Sequence, residues 1–139
     1  MLFRSRELGF PHALARVLCT VGRIHAALGE ADAARRALFD GLIEQQRANR
    51  DTALPGLLEA IAGMYPDAPV AAQLLGSAAA LREQWNVPVF PFEREEHERR
   101  LANVHAKYPD AEFDRAFAVG RGVTRDHAIQ SALALQQSS

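Results

Sequence analysis

Apolar residues recur at intervals of three and four along most of this chain, which is the spacing that one face of an α-helix produces. The first such segment predicts a helix from Pro11 to Leu28, because proline is tolerated in a first turn and Gly29 follows as a stop signal. Its predicted buried face consists of Leu14, Val17, Leu18, Val21, Ile24, His25 and Leu28.

A second helix is predicted from about Asp32 to Asn49, separated from the first by the short segment Gly-Glu-Ala-Asp. A connection this short makes the two helices antiparallel neighbours, so together they form a helical hairpin. The second helix is expected to bury Ala34, Ala37, Leu38, Gly41, Leu42 and Gln45.

A third helix is predicted to begin near Asp51 or Thr52, either of which can cap it, and to end at the sequence YPDAP. We expect it to bury Leu57, Leu58, Ile61 and Met64. A fourth helix, capped by Asp67, has small residues on its buried side, which indicates that another helix approaches it closely. These small residues are Ala71, Ala72, Gly76, Ala78 and Ala79.

The C-terminal third of the chain is predicted to add three further helices. The prolines of the segment VPVFPF interrupt helical structure, and a polar helix rich in Glu and Arg follows at roughly 93–107. A sixth helix ends near Gly120, and a seventh is capped by Thr124. Because β-branched residues are scattered and almost every segment has a helical period, the sequence predicts an all-α fold.

The first hairpin carries the packing pattern of a tetratricopeptide repeat, in which large residues of one helix meet small residues of the next. The first positions of that pattern are occupied by Leu18, Val21, Gly22 and His25. Ala34 and Leu38 supply the later pair at the spacing of the pattern. A shorter second copy consists of Leu58, Ile61, Ala62, Tyr65, Ala71 and Leu75.

These two copies predict a single helical-repeat domain. We expect tetratricopeptide-like antiparallel hairpins that form a right-handed α-α superhelix, with extra capping helices at the C-terminus. Residues 1–10 are interpreted as the tail of a preceding helix, 11–49 as the first repeat, 51–85 as the second and 93–139 as the C-terminal helices.

Four segments of the chain resemble a known family region: LGEADAARRAL, AAQLLGSAAALRE, VPVFPFEREEHER and FDRAFAVGRGVTRDHAI. The region is the C-terminal tetratricopeptide-like end of bacterial signalling ATPases and of LuxR-type and winged-helix transcriptional regulators, and the resemblance covers nearly the whole chain. It implies a scaffold role in signalling or transcription regulation, because those proteins perform their ATP and DNA chemistry in other domains. This chain has no GxxxxGK[ST] motif, and Phe117 stands where the family often has Trp. Because residues 1–10 look like the tail of a preceding helix, we expect a piece of a longer regulator or a short free-standing descendant of a longer array.

Composition and charge argue against several classes of protein, including those that attract nucleic acid or lipid through their overall charge and those that span a membrane. The chain has 139 residues, 48% hydrophobic and 24% charged, with a net charge of −1, so no overall field attracts nucleic acid or anionic lipid. Its single cysteine, Cys19, excludes an internal disulfide and a multi-cysteine zinc site. No apolar run approaches the length of a membrane span, and we expect a cytoplasmic protein.

The candidate chemical groups favour structural roles. His25 is predicted to be a core histidine, and Cys19 a buried, unreactive thiol. Glu93 and His97 are four residues apart but do not form H-E-x-x-H, so we expect a solvated helix covered with charges. Ser77 has no evident His and acid partners. We predict no catalytic residue, no metal ligand and no cofactor, and we do not expect an enzyme.

A partner or ligand groove is the one site that the pattern suggests. Arg16 and Arg23 are seven residues apart and share one stripe of the first helix, and Glu59 and Gly63 occupy the corresponding face of the second repeat. In tetratricopeptide folds this face lines the concave groove. Two arginines there can clamp a carboxylate of a peptide or small acid, although simple solvation is the alternative.

Two functions remain open at this point. The first is a non-catalytic interaction or regulatory module that binds a protein or peptide, or packs on upstream NTPase or DNA-binding domains. The second is a domain that senses a small-molecule effector bound in the helical groove. Because two repeats leave an uncovered end, we also expect a homodimer or a preceding repeat at the N-terminal edge. That edge carries Leu2, Phe3, Leu8 and Phe10.

Overall fold

The computed structural model describes residues 10–47 and 52–137, with the side chains of 10–12 outside the description. Across these ranges the chain is helical and contains no β-strand, which confirms the expected all-α class. The α-helices are α1 (Phe10–Ala27), α2 (Ala31–Arg47), α3 (Leu54–Met64), α4 (Ala71–Trp85), α5 (Arg94–His105), α6 (Asp110–Arg121) and α7 (Arg125–Gln137). A 3-10 turn, Pro91–Glu93, precedes α5.

Helices α1 and α2 form the predicted hairpin. Gly29 allows the tight connection because its φ of +79° lies in the left-handed region that favours glycine. The two helices lie so close that a Cβ atom added to Gly22 would be 2.6 Å from the side chain of Leu38. Every residue predicted to be buried on α2 is buried.

The predicted buried face of α1 is correct only in part, since Leu14, Leu18 and Val21 are partly buried. The most buried residues of α1 are small ones, and among them Ala15 is fully buried and Cys19 is 8% exposed. The larger side chains of Val17, Ile24 and Leu28 are instead 57%, 54% and 69% exposed. The physical reason is the close approach of α2, which favours small residues where the two helices meet, while Leu18 packs beside them against Gly41 of α2.

His25 does not lie in the core as predicted. It is half-buried in the last turn of α1, and its Nδ1 lies 3.2 Å from the carboxylate of Glu30. A histidine at this position interacts favourably with the carbonyl groups at the end of the helix when it is protonated.

Helices α3 and α4 form the second pair, but neither begins with the predicted cap. Ala53 and Val70 occupy the N-cap positions without a side-chain hydrogen bond, and Asp67 instead pairs with Lys107. Asp51, the other proposed cap, lies outside the described residues. Leu57, Leu58 and Ile61 are buried as expected, whereas Met64 is only partly buried.

The close approach predicted from the small residues of α4 is made by α6. A Cβ atom at Gly76 would collide with the carbonyl group of Phe117, and one at Gly120 would collide with the carbonyl group of Gln73. The hydroxyl of Ser77 donates a hydrogen bond of 2.8 Å to the carbonyl oxygen of Gly120. We call this contact the glycine crossing.

The remaining helices complete one core around α3 and α4. Helix α7 begins at the predicted cap, because the hydroxyl of Thr124 accepts a hydrogen bond from the backbone N–H of His127. It packs on α2, α3 and α4. Its buried residues are Ala128, Ile129, Ala132 and Leu135. Of the N-terminal edge, residues 1–9 and the side chain of Phe10 lie outside the described part of the chain.

Candidate functional site

Helix α5 places charged side chains against the two hairpins rather than only in solvent. The prediction of a wholly solvated helix is therefore wrong, and α5 also buries Val104. We use the term charge cluster for the group Arg23, Glu59, Arg82, Glu93, Glu96, His97 and Arg100, of which all but Glu96 line a single small pocket. These residues come from α1, α3, α4, the 3-10 turn and α5.

Arg23 ties α1 to the beginning of α5. Its guanidinium donates to Glu93 at 3.0 Å and to Glu96 at 2.9 Å. The hydrogen bond with Glu96 raises the pKa of Arg23 above its ordinary value. Burial opposes ionisation of Glu96, but Arg23 and Arg100 outweigh it and lower the pKa of that carboxyl. Both sides of the contact therefore stay charged.

Glu59 is the most buried charge of the cluster, with a side chain that is 4% exposed. Arg82 donates to both of its carboxylate oxygens, at 2.7 and 2.9 Å, and the Nδ1 atom of His97 lies 3.4 Å from one of them. Burial disfavours the charged carboxylate, yet the hydrogen bonds from His97 and Arg82 prevail and lower the pKa of Glu59. This is a fixed, bidentate ion pair.

The structure brings together three of the four residues predicted to line a groove. Arg23 and Glu59 belong to the charge cluster, and a Cβ atom at Gly63 would be 3.1 Å from the side chain of Arg100. All three therefore face α5 of the same chain. Arg16 is exposed on α1 and is not part of the cluster. Binding of a partner by these four residues stays a prediction.

A cleft opens between α4, α5 and α6 next to the charge cluster. We call it the amphipathic cleft, and its empty volume is about 670 Å³, including the solvent at its mouth. Its apolar walls are formed by Leu75, Ala79, Leu101 and Phe117. Its polar residues are Glu59, Arg82, Glu83, His97 and Arg121. Arg121 pairs with Glu83 at the rim.

The outer side of α1 forms the second surface of interest. Val17, Ile24 and Leu28 are more than half exposed, and Val21 between them is partly exposed. Their spacing of three to seven residues places them along one side of the helix. We call these four residues the α1 stripe.

The other candidate groups carry no evident chemistry. Burial raises the pKa of the Cys19 thiol to about 11, so it is protonated at neutral pH as expected of an unreactive cysteine. In the ranges 10–47 and 52–137, no three His, Cys, Asp or Glu side chains are grouped so that they can hold a metal ion. In the same ranges, no helix combines the length and the hydropathy that a bilayer span requires.

Sequence reasoning missed Arg82, Arg100 and Arg121 as members of these sites. Arg100 follows Glu96 by four residues, and that spacing alone signals an ion pair on one helix face. Arg82 meets Glu59 only through tertiary packing of α3 and α4, and no local pattern reveals such a contact. Comparison of the chain with protein-family models, with curated proteins and with solved structures gave no match.

Proposed function

We propose that this chain is a non-catalytic helical-repeat module that binds other proteins through helix–helix packing. The proposal includes the tetratricopeptide-like arrangement of the two hairpins and a cytoplasmic location. It also includes a regulatory role next to NTPase or DNA-binding domains in a bacterial transcriptional regulator or signalling ATPase, which is supported by the resemblance of the sequence to such regions.

Contacts at the repeat positions support the tetratricopeptide-like arrangement. The small residue of the first pattern, Gly22, lies against Leu38 and against the carbonyl oxygen of Ala34, which are the two later positions of the same pattern. In the second copy, the corresponding residues Ala62 and Leu75 are both buried. In the first hairpin the small residue Gly22 thus allows the second helix to approach, as the repeat requires, and the burial of Ala62 and Leu75 is consistent with the same arrangement in the second.

The observation that carries the proposal is the α1 stripe. Helix α2 packs on both α1 and α3, whereas α1 packs on α2 and α3 with one apolar side left in solvent. Covering apolar surface gains about 25 cal/mol per Å², so a helix docked along this side would be stabilised. A row of aliphatic residues at helical spacing fits the apolar face of another helix.

A second copy of α1 is the occupant that this chain itself supplies. An antiparallel helix centred on Val21 places Leu28 opposite Leu14, Ile24 opposite Leu18 and Val17 opposite His25, so that two of these three pairs are apolar. The same arrangement places Arg16 opposite Ala26, whereas a parallel pair would bring two copies of Arg16 together. Self-complementary surfaces of this kind form dimers with two-fold symmetry.

Sedimentation velocity over a range of protein concentrations tests this function. The unmodified chain is expected to form a dimer whose fraction rises with concentration, and Ile24→Glu is expected to remain monomeric. Val119→Glu is the matched control, because Val119 is 50% exposed on α6 and lies outside the α1 stripe. A monomer at every concentration, or a dimer insensitive to Ile24→Glu, would contradict the proposal. Circular dichroism verifies that both variants fold.

A further inference from the structure

We propose that the amphipathic cleft binds a small carboxylate that has an apolar body, and that Arg121 is the residue that anchors its carboxylate. The ligand replaces Glu83 as the partner of Arg121. This site lies between α4, α5 and α6, apart from the α1 stripe, so the inference goes beyond the proposed function and can fail independently of it.

The walls of the cleft determine the body of the ligand. Leu75, Ala79, Leu101 and Phe117 surround its middle, and Leu75 is almost fully buried while the other three are partly exposed. Clefts of roughly 300–1,000 Å³ with mainly apolar walls and a few polar groups are typical of small-molecule sites. An aliphatic or aromatic body therefore suits this cleft better than a polar one.

The polar groups of the cleft determine the charge of the ligand. The oxygens of Glu59 are covered by Arg82 and His97, so that carboxylate is already neutralised by protein donors. The guanidinium of Arg82 also donates to the carbonyl oxygens of Val87 and Pro88. The donors of Arg82 and His97 are therefore engaged within the protein. Among the residues that line the cleft, Arg121 is the cation that can take a new anionic partner, because its present partner, Glu83, is exposed.

Arg121 is the donor whose partner can be exchanged. Its side chain is 42% exposed, and its partner Glu83 is 66% exposed. An ion pair between exposed side chains contributes little to stability, because water solvates both charges well. A ligand carboxylate held in the cleft loses water and gains the apolar contacts of its body, so it can displace Glu83 from the guanidinium at small cost.

The test is an NMR titration of the full chain with sodium octanoate, octylammonium chloride and 1-octanol, which share one apolar body. Octanoate is expected to shift the backbone amide signals of residues 75–83, 97–101 and 117–121 in a saturable way. Arg121→Gln is expected to weaken its binding about tenfold or more, since a hydrogen bond to a charged group is lost. Arg115→Gln, an exposed arginine on the same helix, is the control and leaves the affinity unchanged.

Two further measurements distinguish binding at this site from nonspecific binding of an apolar molecule. Glu83→Gln removes the competing carboxylate and is expected to tighten octanoate binding. Octanol and octylammonium are expected to bind at least tenfold more weakly than octanoate. The proposal is overturned if octylammonium binds as tightly as octanoate, if Arg121→Gln leaves the octanoate affinity unchanged, or if the saturable shifts occur in α1.

Discussion

The glycine crossing and the charge cluster hold helices onto the same pair, α3 and α4, by opposite means. At the glycine crossing, α4 and α6 approach until backbone meets backbone, because Gly76 and Gly120 have no side chain to separate them. At the charge cluster, side chains rather than backbone make the contact, and His97 of α5 lies 3.4 Å from the carboxylate of Glu59 on α3.

The two contacts depend on different physical interactions. The glycine crossing relies on shape, so it tolerates changes of pH and salt but not an added methyl group. The charge cluster relies on paired charges, so it tolerates small changes of shape but not the loss of one partner. Each of the following predictions alters one side of this comparison.

The largest effect is expected at the glycine crossing. Gly76→Ala and Gly120→Ala each place a Cβ atom against the carbonyl group of a neighbouring helix, and backbone cannot move aside as a flexible side chain can. We expect each variant to lower the free energy of unfolding by about 3 kcal/mol or more, at the upper end for overpacking. Chemical denaturation followed by circular dichroism measures this change.

Gly56→Ala is the matched control for the glycine crossing. Gly56 lies within α3, and its added Cβ atom would be 3.5 Å from the sulfur of Cys19, an ordinary contact. Because alanine is the better helix former by about 1 kcal/mol, this variant is expected to be neutral or more stable. Equal losses of stability in Gly56→Ala and Gly76→Ala would mean that the close approach of α6 is not the cause.

The next largest effect is expected from Glu59→Gln in the charge cluster. The change removes the charge that neutralises Arg82 in a position where the side chain is 4% exposed. A loss of about 2–3 kcal/mol is expected, which is typical of hydrogen bonds that involve a buried charge. Glu95→Gln is the control, because Glu95 is 91% exposed beside Arg99 and should leave the midpoint of denaturation unchanged. Equal midpoints for both variants would contradict this account.

Acid is expected to weaken the charge cluster and spare the glycine crossing. The pKa values of Glu59 and Glu96 lie below their ordinary value of 4.5 in the folded protein, so the unfolded chain binds more protons. Their stabilising contribution is complete above pH 4.5 and is lost as the pH falls through the lower folded values. The melting temperature of the unmodified chain should therefore fall more steeply below pH 4.5 than that of Glu59→Gln. Parallel curves for the two proteins would refute this origin.

The smallest change in stability is expected at Gln45, a buried polar side chain that, unlike Glu59, makes no hydrogen bond among the described residues. The amide group of Gln45 on α2 is fully buried, and neither its oxygen nor its nitrogen makes a hydrogen bond within ranges 10–47 and 52–137. Replacing it by an apolar residue of similar length removes this desolvated group, so Gln45→Met is expected to stabilise the fold by about 1 kcal/mol. A loss of stability measured by thermal melting would show that the amide has a partner, such as an ordered water molecule.

The fold was predictable where one helix face is clearly polar. Helix α2 combines exposed charges such as Asp32 and Arg36 with a single apolar side. Every residue predicted to be buried there is buried, and only Phe39 was missed among the buried residues described for this helix. Helix α1 has apolar residues on two sides, and hydropathy alone favours the larger ones. The smaller residues are the most buried ones because the distance between α1 and α2 determines which side chains fit between the helices. That distance cannot be obtained from the periodicity of the sequence.

The sites were less predictable than the fold. The small residues of α4 correctly indicated a close helix, but nothing in them identifies α6 as the neighbour. Arg23 and Glu96 are 73 positions apart, and Arg121 and Glu83 are 38 apart, so their pairing depends on the tertiary arrangement. Charged residues on one helix also look solvated until the partner helix is known, which explains the incorrect prediction for α5.

Intermolecular contacts between methyl groups test the central claim, helix–helix recognition through the α1 stripe, most directly. A sample that mixes ¹³C-labelled and unlabelled chains at a concentration that favours the dimer reports only contacts between two copies. We predict filtered NOE signals that connect Ile24 to Leu18 and Leu28 to Leu14 of the other copy. A dimer whose intermolecular signals involve other exposed residues, such as Phe90 and Phe92, or a sample without any intermolecular signal, would contradict the claim.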